Sequence, residues 1–439
     1  MLNFKQKTVI WYGIINHTEN LFMRSILPLF LGLNMCLLVA QSPLTAPDSL
    51  AQNQWVDSVY STLSTKQKIG QLFMVQVFSD KKNLNKAKLI NLIKQHQIGG
   101  LIYSKGGPVR QAHLNNELQA VSKLPLLVGM DAEWGLSMRL DSTYAFPWNM
   151  TLGAITDLEL VRQTGQHIGA HCKRLGVHFN FAPVVDINTN PINPIIGNRS
   201  FGEDKQNVTD KALAFMQGLQ SKGVLANAKH FPGHGDTDED SHKALPVVSF
   251  GKKRLQNVEL YPYKILIKNG LSSVMVAHLN VPALEPKSQY PSSLSKRIVS
   301  KILKSKLDFK GLIFTDALDM KGVSNYSSAG AIDLQAFMAG NDVLLMSKDV
   351  RQGIEKITAA YDSGEITEVR LAHSVKKILR AKYKVGLHMY QPVAIENLIE
   401  DLNRPIDDVL YKRLMQNAHT IVKNKNSSIP IKDLKLQNV

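Results

Sequence analysis

The chain has little cysteine: among 439 residues there are two, Cys36 and Cys172, in unrelated contexts. A disulfide framework is excluded, and no structural bridge is expected. Internal repeats and low-complexity tracts are missing, as is a G-x-G-x-x-G after the first strand-like run, which argues against an open doubly wound sheet. Acidic residues are outnumbered, 36 Asp and Glu against 52 Lys and Arg, for a net charge of +16. The lysines are nevertheless scattered in pairs such as Lys81-Lys82, Lys252-Lys253 and Lys376-Lys377. That is the pattern of a solvated face, so nucleic acid is not expected as a partner, while contact with an anionic wall or membrane surface stays open. What is present in quantity is apolar material, 44% against 20% charged, enough for a large soluble core.

The segment Met23–Ala40, MRSILPLFLGLNMCLLVA, has one Arg, an apolar run and a small residue before Gln41. It reads as a secretory signal, with residues 1–22 too polar for its leading region and Met23 as the natural start. Residues 1–40 are therefore taken as an extension and signal peptide, and the mature chain is expected to be exported, most plausibly to a periplasm. An uncleaved membrane anchor is the alternative.

From residue 55 to 390, short β-rich apolar runs alternate with longer helical patterns. Eight runs are expected as strands: Ile69–Phe78, Ile98–Tyr103, Pro125–Met130, Val177–Val185, Leu225–Lys229, Ser273–His278, Gly311–Thr315 and Asp342–Met346. Helical spacing marks Leu84–Gln97, Asp157–Leu175, Lys205–Lys222, Ser293–Leu307 and Ala329–Ala339. The fold class is α/β, a (β/α)8 TIM-type barrel. Residues 391–439 read as a linker and an incomplete C-terminal segment, with a helix at Asp407–Ala418, a strand at Thr420–Lys423 and a turn at Asn424–Ser428. An isolated helix and strand have nothing to pair with, so they look like the truncated start of a second α/β domain.

In such a barrel, polar residues at the C-terminal ends of strands carry the chemistry, because the loops converge there. Here Asp131 and Glu133 follow the third strand, Asp186 and Asn188 the fourth, Lys229 and His230 the fifth, His278 the sixth and Asp316 the seventh. The densest stretch is Lys229–His242, KHFPGHGDTDEDSH. Asp236, Asp238 and Asp240 begin like a calcium loop, but Ser241 stands where Gly is needed and Val247 where Glu is needed. His234 and His242 lack the spacing of a helical zinc pair, so no metal and no cofactor are expected. A dyad fits better: Asp240, two residues from His242, can hold its imidazole in one tautomer and make it an acid and then a base. Asp316, fixed at the end of Gly311–Thr315, is the matching nucleophile.

These residues resemble a known family. KHFPGHGDTDEDSH followed by Leu245-Pro246, GNRSFGED at Gly197–Asp204 and FTDALDM at Phe314–Met320 are similar to glycoside hydrolase family 3, in its β-N-acetylglucosaminidase branch. The resemblance covers about residues 55 to 390. It implies Asp316 as nucleophile, Asp240 and His242 as the acid/base dyad, and Asp131, Arg199, Lys229 and His230 as ligands of the terminal sugar. Where the branch reads Asp-x-Glu-Gly-Gly-Arg, this chain has Asp131-Ala132-Glu133-Trp134-Gly135-Leu136, the next Arg is Arg139, and Trp134 is expected to rim the pocket. Asn417–Ile431 is similar to the opening of the second, α/β-sandwich domain that many members carry. The implied reaction is retaining hydrolysis of a terminal N-acetylhexosaminide through a covalent glycosyl-enzyme. Transfer to phosphate and a noncatalytic wall- or carbohydrate-binding role are the rivals.

Overall fold

The computed structural model describes residues 42–80, 82–239 and 244–425. Eight parallel strands, each followed by helix, wind in one direction: β1 (Phe73–Phe78), β2 (Gly100–Lys105), β3 (Leu127–Met130), β4 (Phe179–Asn180), β5 (Leu225–Phe231), β6 (Ser273–Val276), β7 (Leu312–Thr315) and β8 (Leu344–Leu345). The pairing order is β7-β6-β5-β4-β3-β2-β1-β8, and β1 pairs with β8 through Phe73 with Leu344 and Met74 with Leu345. A bridge between Phe314 and Val343 joins β7 to the start of β8 and completes the ring. Every strand lies within one of the eight apolar runs, extending past it by two residues at most. Continuous runs are what a sheet covered on both faces requires, since side chains pointing either way meet protein. All seven residues of β5 are buried.

The barrel interior is filled with aromatic rings. Phe314 on β7 meets Phe179 at 5.2 Å and Phe181 at 5.3 Å between ring centroids. A Cβ on Gly129 of β3 would sit 2.7 Å from the Phe181 ring, so glycine makes room for it. Outside the ring, helices Leu158–Arg174 and Lys205–Ser221 pack tightly at Gly165 and Gly218, where a Cβ would meet the Phe215 and Arg162 carbonyl oxygens at 2.3 and 2.1 Å. Asp157 and Asp204 cap these helices by accepting the Glu159 and Asn207 N–H groups.

Three elements differ from the sequence expectation. Ile69 belongs to a short helix, Thr65–Gly70, because Ser64 and Gln67 form a reciprocal capping box that starts a helix there. Ser293–Leu307 is a 3-10 turn, Ser292–Leu294, followed by a π-helical stretch, Arg297–Lys306. The expected strand Thr420–Lys423 is irregular, with Ile421 and Val422 exposed. Among the described residues no strand pairs with it, so its apolar residues stay exposed. Residues 426–431 of that segment lie outside the described residues.

Helix Pro405–Ala418 docks on the barrel. Asp407, fully buried, receives His167 Nδ1 at 2.6 Å and His171 Nε2 at 3.1 Å, and Leu410 and Leu414 are buried beside it. Arg174 binds Asp401 and the carbonyls of Ala394 and Glu396, so residues 391–418 are laid along the outside of helix Leu158–Arg174.

The N-terminal ends of the strands form the foot of the barrel, and helix Glu368–Lys384 crosses it. Arg370 caps the carbonyls of Phe337 and Asn341, Lys377 binds the fully buried Asp342 at the start of β8, and Lys382 reaches Gln71 before β1 at 2.6 Å. Helix Ser49–Thr62 lies against its outer side, with Gln52 bonded to the Arg380 carbonyl.

Candidate active site

At the mouth, opposite the foot, the strand ends surround a cleft of ≈ 500 Å³. Asp131, Arg199, Lys229, His230 and Asp316 all line it, so five residues spread over 186 positions of sequence are brought to one cavity. Asp240 and His242 lie outside the described residues. The stems that carry them are well fixed. On one side, the His234 N–H donates to Asp186 at 2.8 Å, His234 Nδ1 meets Thr237 Oγ1 at 2.7 Å, and Thr189 Oγ1 donates to Asp236 at 2.6 Å. On the other, the Asn280 N–H donates to the Pro246 carbonyl at 2.8 Å. Glycine is obligatory at 235, where a Cβ would meet the Ile187 carbonyl oxygen at 2.0 Å.

The charged groups form one continuous chain of hydrogen bonds. Lys229, inside β5, donates to Asp131 at 2.7 Å and reaches Glu133 at 2.8 Å. Glu133, with no exposed surface, also receives Arg199 in a two-pronged contact at 2.8 and 3.0 Å. Arg199 Nη2 stands 3.3 Å from His230 Nε2, and His230 Nδ1 stands 2.6 Å from Asp186. A guanidinium has hydrogens only to give, so Nε2 is the acceptor and the His230 proton sits on Nδ1, toward Asp186. Burial works to raise the carboxyl pKa of Glu133, but Arg199 and Lys229 outweigh it and bring it down to about 2. Burial likewise opposes ionisation of Asp131, and Lys229 and Arg139 hold it well below the usual carboxylate range. Arg199 is held above its ordinary value: burial works against its charge, and Glu133 overrides that.

Asp316 sits at the end of β7 on a clamped turn. Its Oδ1 receives the Ala317 N–H at 2.8 Å, and the Ala317 carbonyl is in turn held by His278 Nε2 at 3.0 Å. The other His278 nitrogen is bonded to Ser293 Oγ at 2.7 Å. Burial would raise the Asp316 pKa, and His230, His278, the Ala317 N–H and Lys229 together lower it below the ordinary value. It is therefore an anion at neutral pH, in a cavity of a volume that can take a sugar ring, with donors and acceptors around it.

The motif GNRSF has a structural reading. A 3-10 turn at Gly197–Arg199 aims the guanidinium inward, Asn149 donates to the Arg199 carbonyl at 2.7 Å, and Ser200 Oγ donates to the Asp186 carbonyl at 2.6 Å. Arg139 reaches Asp131 because the 3-10 turn Leu136–Met138 swings the chain round, so an Arg three positions late still arrives. Trp134 is not among the residues lining the cleft. It stacks on Trp148 at 4.1 Å, which removes its face from the pocket and corrects the expectation that it forms the rim. Gln76, inside β1, and Ser104, one residue before the end of β2, line the cleft and are bonded to each other at 2.9 Å. Neither was singled out in the sequence: Ser104 directly follows an expected run, whereas Gln76 is a lone polar residue inside one.

Comparison with known proteins places this geometry. The model of the glycosyl hydrolase family 3 N-terminal domain matches residues 64–381. The chain belongs to glycosyl hydrolase family 3. It is 31% identical over 426 residues to beta-hexosaminidase A of Pseudoalteromonas piscicida, covering 90% of this chain and 70% of that one. A family 3 β-N-acetylglucosaminidase structure from Paenibacillus sp. superposes with a TM-score of 0.75 at 35% identity, covering 81% of this chain and 69% of that one. A structure described as a beta-glucoside phosphorylase superposes with a TM-score of 0.80 at 26% identity, covering 87% and 69%.

Proposed function

We propose that this family 3 enzyme is a retaining β-N-acetylhexosaminidase that removes terminal β-linked N-acetylhexosamine from cell-wall fragments or chitooligosaccharides. The observation that carries the reading is Asp316: an ionised, clamped carboxylate in a cleft that also holds Asp131, Arg199, Lys229 and His230. The relatives named above for hexosaminidase and β-N-acetylglucosaminidase activity support the substrate class.

In this proposal Asp131, Arg199, Lys229 and His230 bind hydroxyls of the terminal sugar. Asp316 attacks the anomeric carbon as protonated His242, oriented by Asp240, gives its proton to the departing oxygen. Neutral His242 then takes a proton from water, whose oxygen displaces Asp316 and regenerates both groups. The test is release of a chromogenic aglycone from N-acetyl-β-glucosaminide, compared with the β-glucoside, with and without inorganic phosphate. Hydrolysis of the N-acetyl substrate at an unchanged rate in phosphate is expected. A glycosyl phosphate as the main product would make the enzyme a phosphorylase, and no turnover of either substrate would favour a binding role.

Export is part of the same proposal, supported by the apolar Met23–Ala40 segment with a small residue, Ala40, before Gln41. Sequencing the native N-terminus should give a start near Gln41. An intact segment from Met1 would point to an anchored or unexported form.

A further inference from the structure

The wall of the cleft is divided by charge. Its ionic residues stand after β3, after β4, on β5 and after β7, with Met275 of β6 among them. Past β7 the ring continues through β8, β1 and β2, and what these strands show to the cleft is uncharged: Leu345 and the following Met346, then Gln76, then Ile102 and Ser104.

The neutral side is fastened to the turn that carries Asp316. The Leu318 N–H donates to the Leu345 carbonyl at 2.9 Å, and the Leu345 N–H donates to Thr315 Oγ1 at 3.0 Å. Met346 holds a left-handed backbone, φ 52°, uncommon for a side chain of its size, and its N–H is bonded to the Met74 carbonyl at 2.9 Å. On the next strands Gln76 Nε2 donates to Ser104 Oγ at 2.9 Å. Among the described residues this leaves the Gln76 side-chain carbonyl to accept and the Ser104 hydroxyl proton to donate.

We propose that this neutral wall reads the acetamido group at C2 of the terminal sugar: Gln76 accepts from its N–H, Ser104 donates to its carbonyl oxygen, and its methyl lies against Ile102, Leu345 and Met346. C2 is bonded to the carbon that Asp316 attacks, so its substituent falls beside the turn to which Leu345 is tied. A ring laid the other way would press the methyl among ions and leave buried donors unpaired, which is costly. A 2-hydroxyl has no methyl and a single oxygen in place of the separate donor and acceptor of an amide, so a glucoside gains less from the same wall. The inference rests on the hexosaminidase reading and names the residues that set its specificity.

Calorimetric titration with N-acetylglucosamine and with glucose reads this recognition without turnover. Wild type should bind N-acetylglucosamine more tightly, and Gln76→Ala and Ser104→Ala should each cut that advantage by up to about tenfold, the worth of one neutral hydrogen bond. Met346→Ala should open room beside the methyl and narrow the ratio of kcat/KM between chromogenic N-acetyl and N-butyryl glucosaminides by roughly tenfold. A folding defect produces no such gain on the larger substrate. Equal binding of both sugars by wild type, an undiminished advantage in both polar variants, or equal losses on both sugars would overturn the inference, and an unmoved acyl preference in Met346→Ala would overturn the place given to the methyl. If the advantage is present and falls as expected while no aglycone is released, the hexosaminidase reading fails and the assignment of this wall stands.

Discussion

Asp186 does not line the cleft, yet three hydrogen bonds converge on its buried carboxylate: the His230 imidazole, the His230 N–H and the His234 N–H. It fixes the His230 tautomer and, through His234, the root of the loop that leads to Asp240 and His242. Replacing it with Asn keeps the shape but puts an NH2 group where Nδ1–H now points. The imidazole must then move its proton to Nε2, against the donors of Arg199. Asp186→Asn is expected to raise KM for the chromogenic N-acetylglucosaminide by roughly tenfold, the worth of one charge-assisted bond, while the His234 N–H keeps the side-chain oxygen of residue 186 as its acceptor. Wild-type KM in this variant would reduce Asp186 to a space-filling role. Asp316→Ala should abolish turnover without loss of fold, because a strand-end carboxylate bound to one backbone N–H adds little to packing. Measurable wild-type-like rates would remove Asp316 from the reaction. Polar residues ending the strands are visible in a linear chain, so Glu133, Asp186 and His278 could be marked as site material. Their parts could not, because each acts by holding another residue that is distant in sequence.

At the scale of elements, the strands were legible because two-sided burial leaves unbroken apolar runs, while the boundaries moved wherever a capping pair such as Ser64 and Gln67 intervened. The C-terminal segment was harder to read. Its helix was visible as a pattern, but what anchors it is the fit of Asp407 between His167 and His171, a contact across 240 positions that no local pattern displays. Asp407→Ala would leave those imidazoles and the Arg404 N–H without their buried acceptor, a loss on the order of 3 kcal/mol. Chemical denaturation should show a lowered midpoint with normal turnover at 25 °C, since none of these groups lines the cleft. An unchanged midpoint would mean the helix contributes nothing to barrel stability.

For the whole molecule, two histidines set an acid limit. His234 is kept near pKa 4 by burial and then by His230, and His178, at the start of β4, is also lowered to about 4, by burial and then Lys382. An unfolded histidine titrates near 6.5, so between these values the unfolded chain binds the extra protons. Stability is then full above about pH 6.5 and falls as pH drops toward 4, with a slope of up to about 2.7 kcal/mol per pH unit for two protons. Thermal melts across this range should show the decline, and replacing His178 should remove part of it. A melting temperature flat from pH 7 to 4.5 would contradict the neutral state of both imidazoles.

The helix across the foot has a further meaning in time. Lys382 meets Gln71 across 311 positions, and β1 waits for β8 before either has its second neighbour. Contacts of such span form late, because most of the chain must be ordered before they repay its loss of freedom. A growing chain that has not yet produced its final third therefore has neither a closed ring nor the β7 carboxylate. Maturation is close to a single event, in which a helix made only after β8 seals the first strand, and a partly built molecule has no cutting edge.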